Sequence, residues 1–233
     1  SAEAIQRPGQ DKHVTLGVST AFAHYWMVPR LSMFREKHPH IDLRMQTTDR
    51  DIDIAEESVS LGVRRGDGNW DGYNSFLLAR EKIYPVCSPM LLRQSNPPTS
   101  PAELQSRSLI HLEEPFRPRP KWSNWFAAYG VDYRDSGLGL RLNDYALVIQ
   151  AAIAGEGIAL GWHHLVDLLI EKKVLVEALP RTYAWGAGFF VIWSKTSELT
   201  AEAEQVLQWL KSQRQETVAA TDVPRTRRGP REE

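Results

Sequence analysis

The sequence predicts an α/β protein of two lobes joined by two crossing strands. Three observations carry this reading: strand and helix patterns alternate from Val14 onward, the chain leaves its first sheet near Pro85, and a strand and helix at the end return to the first lobe. VTLGVS alternates with period two at Val14, Leu16 and Val18, and IDLRMQT does so at Ile41, Leu43 and Met45. Between them, Met27, Leu31 and Phe34 make an apolar stripe at helical spacing, with Pro29 tolerable only near the helix start. SLGVRRG reads as a third strand ending in the turn GDGNWDG, so the first lobe is a β-α-β unit on a parallel sheet.

The apolar run FLLAREKIYPVCSP is closed by Pro85 and Pro89, and there the second lobe begins. LLRQ and SPAELQSR are helix-like, with Ser100 as a cap, and SLIHLE is a short strand. KWSNWFAAYG is a helix stopped at Gly130, and GLRL a strand. Asn143-Asp144 cap YALVIQAAIAG, which is apolar on nearly every side and should lie buried between layers; Gly155 and Gly157 end it, and IALGW is the next strand. GFFVIWS is a strand rich in aromatic and β-branched residues. From Thr200 a last helix places Ala203, Val206, Leu207 and Leu210 on one face. The expected division is residues 13–84 plus 186–213 for the first lobe and 85–185 for the second, with 1–12 peripheral and 214–233 a disordered tail rich in proline and charge.

Composition narrows the function. Of 233 residues, 42% are hydrophobic and 24% charged, as in an ordinary folded domain, and the formal net charge of −1 argues against a surface built to neutralise phosphates. The single cysteine, Cys87, reads as a buried small hydrophobe. No apolar stretch spans a bilayer, and the polar start SAEAIQRPGQDK is unlike a signal peptide, so the expected location is the cytoplasm, with no membrane partner. No G-x-S-x-G elbow, Walker loop, H-E-x-x-H or C-x-x-C is present, and the adjacent His163 and His164 point their rings apart. A binding protein is expected rather than an enzyme, with no metal and no cofactor.

From Val14 to about Leu210 the chain resembles the effector-binding domain of LysR-type transcriptional regulators, especially the glycine-cleavage-activator-like branch. The resemblance rests on VTLGVST, VPRLSMFREKHPHIDLRM, LGVRRGDGNW, IYPVCSPMLL, WSNWFAAYG and NDYALVIQAAIAGEGIALG in that order. It departs from the family where many members have G-x-x-D-L before the third strand, since Ser58 and Ser60 stand there. The resemblance implies a periplasmic-binding-protein-like (type 2) fold with a small-molecule effector between the lobes. It also implies homodimers, tetramers in the full-length protein, and DNA contact only through an N-terminal winged helix-turn-helix module, of whose linker residues 1–12 would be a remnant. HLEEPFRPRP and the tryptophan-rich helix resemble the regulators of choline sulfate and glycine betaine utilisation, which suggests choline or a related quaternary ammonium compound as effector.

In such a cleft a ligand meets strand ends and helix N-termini. Ser19 and Thr20, Thr47 and Thr48, and Asn143 and Asp144 fit that description, although each would serve equally as a local cap. A quaternary ammonium needs aromatic faces and a carboxylate, for which Trp162, Trp185 and Glu113 are the candidates; Trp122 and Trp125 suit core packing better. A sulfate would seek Asn143 or Arg64. The alternative function is a solute-binding protein serving a transporter, since the fold class is shared.

Overall fold

A computed structural model describes residues 13–48, 50–51, 53–54 and 58–214. The expected N-terminal remnant and, beyond Arg214, the expected tail lie outside the described residues.

Two sheets organise the molecule. The first has the order β2-β1-β3-β10-β4, built from β1 (His13–Val18), β2 (Asp42–Thr47), β3 (Leu61–Gly66), β4 (Tyr73–Arg80) and β10 (Gly188–Ser194). β1 runs parallel to both β2 and β3, whereas β10 is antiparallel to β3 and β4, so the chain's late strand is sewn into the first sheet. The alternation read from the sequence holds in β1, where Val14, Leu16 and Val18 are buried.

The helical segment after β1 differs from the expectation. Phe22–Met27 is a π-helix, Val28–Arg30 a 3-10 turn, and only α1 (Leu31–Lys37) is α-helical. Pro29 sits inside this run rather than at its start. Its missing N–H and its ring, which would strike the carbonyl four residues back, forbid a regular turn there, and the backbone widens before it and tightens at it. The rearrangement keeps Phe22 stacked on Trp26 at 4.8 Å, with Trp209 of α7 (Ala201–Ser212) edge-on to Trp26 and Phe34. Thr200 caps α7 by accepting from the Ala203 N–H, and Val206, Leu207 and Leu210 are buried as the pattern requires.

The run FLLAREKIYPVCSP proves to be two strands. The chain crosses at Glu81-Lys82 into β5 (Ile83–Cys87), so Ile83 and Tyr84 already pair in the second sheet and Pro85 stands within a strand. β5 lies between β8 (Ala159–Trp162) and the two-residue β9 (Val176–Glu177). β6 (Ile110–Leu112) and β7 (Leu140–Leu142) form a parallel pair tied to β8 through a Leu109–Ile158 bridge. Helices α2 (Pro89–Gln94), α3 (Pro101–Leu104), α4 (Trp122–Ala128), α5 (Tyr145–Ala154) and α6 (His163–Glu171) cover this sheet.

α5 is capped as expected: the Asp144 carboxylate accepts from the Ala146 and Leu147 N–H groups, and Gly155 closes the helix in a left-handed conformation. Leu147 departs from the fully buried expectation, being half exposed. α6 carries no side-chain cap, because it grows directly out of β8 at Trp162. Trp122 and Trp125 are core residues, and Cys87 is buried, with desolvation pushing its thiol up to about 11.

Candidate functional site

The site lies where the two sheets face each other across the crossing strands. From the first sheet come the β1 exit, Ser19 and Thr20, and the β2 exit at Thr48. From the second come Asn143 and Asp144 at the head of α5, Tyr145, and Trp162 at the end of β8. The cavity these residues enclose is about 40 Å³, room for only a few water molecules.

A strap closes it. Residues 113–119 leave β6 and reach across to the first sheet. The Arg117 Nη2 group donates to the carbonyls of Thr48 at 2.7 Å and Arg50 at 2.6 Å, the Arg50 guanidinium stacks on Phe116 at 4.4 Å, and Arg65 Nη1 donates to the Pro118 carbonyl at 3.3 Å. Arg119 lies between Glu114, paired at 2.9 Å, and the ring of Phe189 on β10, at 5.9 Å. Burial draws the Arg119 guanidinium below its usual range, and Glu114 opposes that shift.

Charge is unevenly satisfied here. Glu114 is held by Arg119, and Asp144 is committed to its helix cap. Arg117 is 8% exposed, and among the described residues its one counter-ion is Asp51 at 3.9 Å and its Nε makes no hydrogen bond. The site therefore holds one buried guanidinium with donor capacity to spare.

The hinge side is built around Glu81. Its carboxylate, with no exposed side-chain surface, takes a bidentate pair from Arg65 at 2.7 and 2.8 Å and a hydrogen bond from Trp162 Nε1 at 3.0 Å. Trp162 thus joins the cavity wall to the crossing strand. Beside it His164, fully buried against Phe189 with ring centroids 3.9 Å apart, has neither nitrogen hydrogen-bonded among the described residues, and desolvation lowers its pKa to about 3.

Six of the nine residues singled out in the sequence line this cavity: Ser19, Thr20, Thr48, Asn143, Asp144 and Trp162. Ser19 also accepts from the Phe22 N–H, and Thr48 from the Arg50 N–H, so both cap locally as well. Three lie elsewhere. Thr47 is exposed on β2, Glu113 pairs with Arg141 at 2.8 Å on the rim of a different cavity, and Trp185 is 44% exposed on the second crossing with the Arg65 guanidinium 5.6 Å from its ring. Glu113, Trp162 and Trp185 do not form one cage, and Trp162 is edge-on to Tyr145. Sequence reasoning passed over Arg117 and Arg119, whose only signal was two arginines spaced among the prolines of EEPFRPRP. Among the described residues no group of His, Cys, Asp or Glu could hold a metal ion, and no helix is long and apolar enough to cross a membrane.

This two-sheet, cleft-and-strap architecture matches a known class. The family model of the LysR substrate binding domain matches residues 7–215, and the chain belongs to that family. The glycine cleavage system transcriptional activator of Escherichia coli K12 is 30% identical over 197 residues, covering 84% of this chain and 63% of that relative. The transcriptional activator AmpR of Rhodobacter capsulatus is 28% identical over 198 residues, 85% of this chain and 65% of its own. The chain thus spans under two thirds of the length of these regulators. Among solved structures, the AmpR effector-binding domain of Citrobacter freundii superimposes with a TM-score of 0.71 at 23% identity, covering 86% of this chain and 97% of that one. The AmpR effector domain of Pseudomonas aeruginosa gives 0.70 at 23% identity over 86% and 94%. The fold is accordingly the periplasmic-binding-protein-like type 2 fold of LysR effector-binding domains.

Proposed function

We propose that this domain senses a small acidic molecule, such as an organic carboxylate, in the cleft under the strap, as the effector-binding part of a transcription regulator. The observation that carries the acidic reading is Arg117, a buried guanidinium that lines the cavity and keeps an unused Nε–H, while the cavity's carboxylates Glu114 and Asp144 are already committed. An effector carboxylate would take Arg117 from the carbonyls of Thr48 and Arg50, so its binding and the strap's hold on the first sheet compete. That competition supplies differential affinity for two lobe arrangements, which a ligand-driven switch requires. Since the cavity is only about 40 Å³, occupancy demands that the lobes part.

The lobes are residues 13–84 with 186–213 and residues 85–185, with Ile83 and Tyr84 paired into the second sheet. The relatives' names support regulation of transcription over transport or catalysis. On the same reading DNA contact is made by a separate module of the parent protein, with homodimers through surfaces on both lobes and a cytoplasmic location. A quaternary ammonium effector fits the cleft poorly, because it would face Arg117 without the aromatic cage it needs.

The test is thermal stability against a panel of organic acids, choline, glycine betaine and choline sulfate. A ligand at 100 times its Kd adds about 2.7 kcal/mol to folding. We expect acids to raise the midpoint of the wild-type domain and not of Arg117→Ala. A rise with choline alone would overturn the acidic reading while leaving the family assignment intact.

A further inference from the structure

A second cavity, larger than the cleft, lies within the second lobe. It has a volume of about 300 Å³, at the lower end of ligand-pocket size, and is bounded by β6, β7 and the start of α4. Its floor is apolar, from Ile110, Trp122, Val148 and Leu160. Its rim carries two carboxylates, Glu113 and Asp135, and two cations, Lys121 and Arg141. Arg141 bridges the carboxylates, at 2.8 Å to Glu113 and 2.7 Å to both Asp135 oxygens, while Lys121 makes no ion pair among the described residues. His111 also lines the cavity, 8% exposed, with its Nε2 buried and without a hydrogen-bond partner among the described residues.

We propose that this cavity is a second ligand site, taking a zwitterionic α-amino acid with a sizeable apolar side chain. A ligand that was only a cation would meet Lys121 and Arg141, and one that was only an anion would meet Glu113 and Asp135. A zwitterion satisfies both signs, its carboxylate on Arg141 and Lys121 and its ammonium on Asp135 and Glu113. The Arg141 pairs are part exposed, at 30% for Arg141 against 53% and 40% for the carboxylates, so exchanging a partner for a ligand group is inexpensive. His111 supplies the unfilled polar position. Burial lowers its pKa, so at neutral pH its ring is uncharged, and a ligand that reached the unpartnered Nε2 would meet an acceptor or a donor according to tautomer. The apolar side chain then replaces water over Trp122 and Leu160. The site shares Leu112, Tyr145 and Trp162 with the cleft wall, so its occupant would bear on the cleft from behind. It does not depend on the acidic-effector reading.

Isothermal titration of the domain with L-phenylalanine tests it, beside phenethylamine and 3-phenylpropionate, which each lack one charged group. We expect saturable binding of L-phenylalanine, a loss of about tenfold or more for each half-molecule, and a similar loss in Arg141→Ala and in His111→Gln, with Arg117→Ala unchanged. Circular dichroism of each variant confirms folding. No saturable binding of L-phenylalanine or L-leucine, or binding lost in Arg117→Ala but kept in Arg141→Ala, would overturn the proposal; the cleft reading is judged separately, by the organic-acid response.

Discussion

The cleft and the inner cavity of the second lobe place their polar groups in opposite ways. In the cleft the walls come from both sheets, the arginine of the strap is buried and held by backbone carbonyls, and the space has shrunk to about 40 Å³. In the inner cavity the walls come from one lobe, the ionic groups face water, and about 300 Å³ is open. A site between lobes can be opened or erased by their movement, so its size describes a state. A site inside one lobe keeps its size, and its selectivity is set by fixed groups.

The largest effect that would sharpen this contrast is at the hinge. Arg65→Ala leaves the Glu81 carboxylate buried and unpaired, and denaturant unfolding should show a loss of about 3–5 kcal/mol. Arg65 does not line the inner cavity and reaches its wall only through Glu81 and Trp162, so amino-acid binding should survive wherever the variant still folds. Arg117→Ala comes next. It removes two charge-assisted hydrogen bonds across the cleft, and the same measurement should show a loss of roughly 1.5–3 kcal/mol with faster hydrogen exchange at the β2 exit.

The contrast also has a pH dependence. His164 stays neutral in the folded protein to about pH 3, whereas the unfolded chain takes up a proton below about pH 6.5. Stability is therefore present above about 6.5 and is lost as pH falls, by about 2 kcal/mol at pH 5 from this group alone. His163 and His111, also depressed by burial, act in the same direction. Urea titrations from pH 7 to 5 should give a shallower slope for His164→Leu than for the wild type. The smallest effect is at the rim of the inner cavity: Arg141→Ala should leave the unfolding midpoint nearly unchanged, because exposed ion pairs contribute little.

Legibility followed locality. Strands β1 and β2, the caps Asp144 and Thr200 and the buried face of α7 were readable because each rests on residues a few positions apart. The π-helix was not, because Pro29 signals a break without saying how the backbone absorbs it. α6 was missed for want of any capping residue, and the β4-to-β5 crossing was passed over because FLLAREKIYPVCSP was read as one run although the charged Arg80-Glu81-Lys82 interrupts it. In the site, Ser19, Thr48 and Asn143 could be picked out as residues at element ends. Arg117 could not: its partners Thr48 and Arg50 lie 69 and 67 positions away, and only the folded strap brings them together. Glu113 and Trp185 were chosen for their chemistry, and folding carried them to other surfaces.

The most direct measurement is amide chemical-shift mapping of the domain with the organic acid that raises its thermal midpoint most. Shifts at Ser19, Thr20, Thr48, Arg117 and Asn143, with His111 and Asp135 little moved, are what the account predicts. Shifts that spare these residues and gather elsewhere would contradict it.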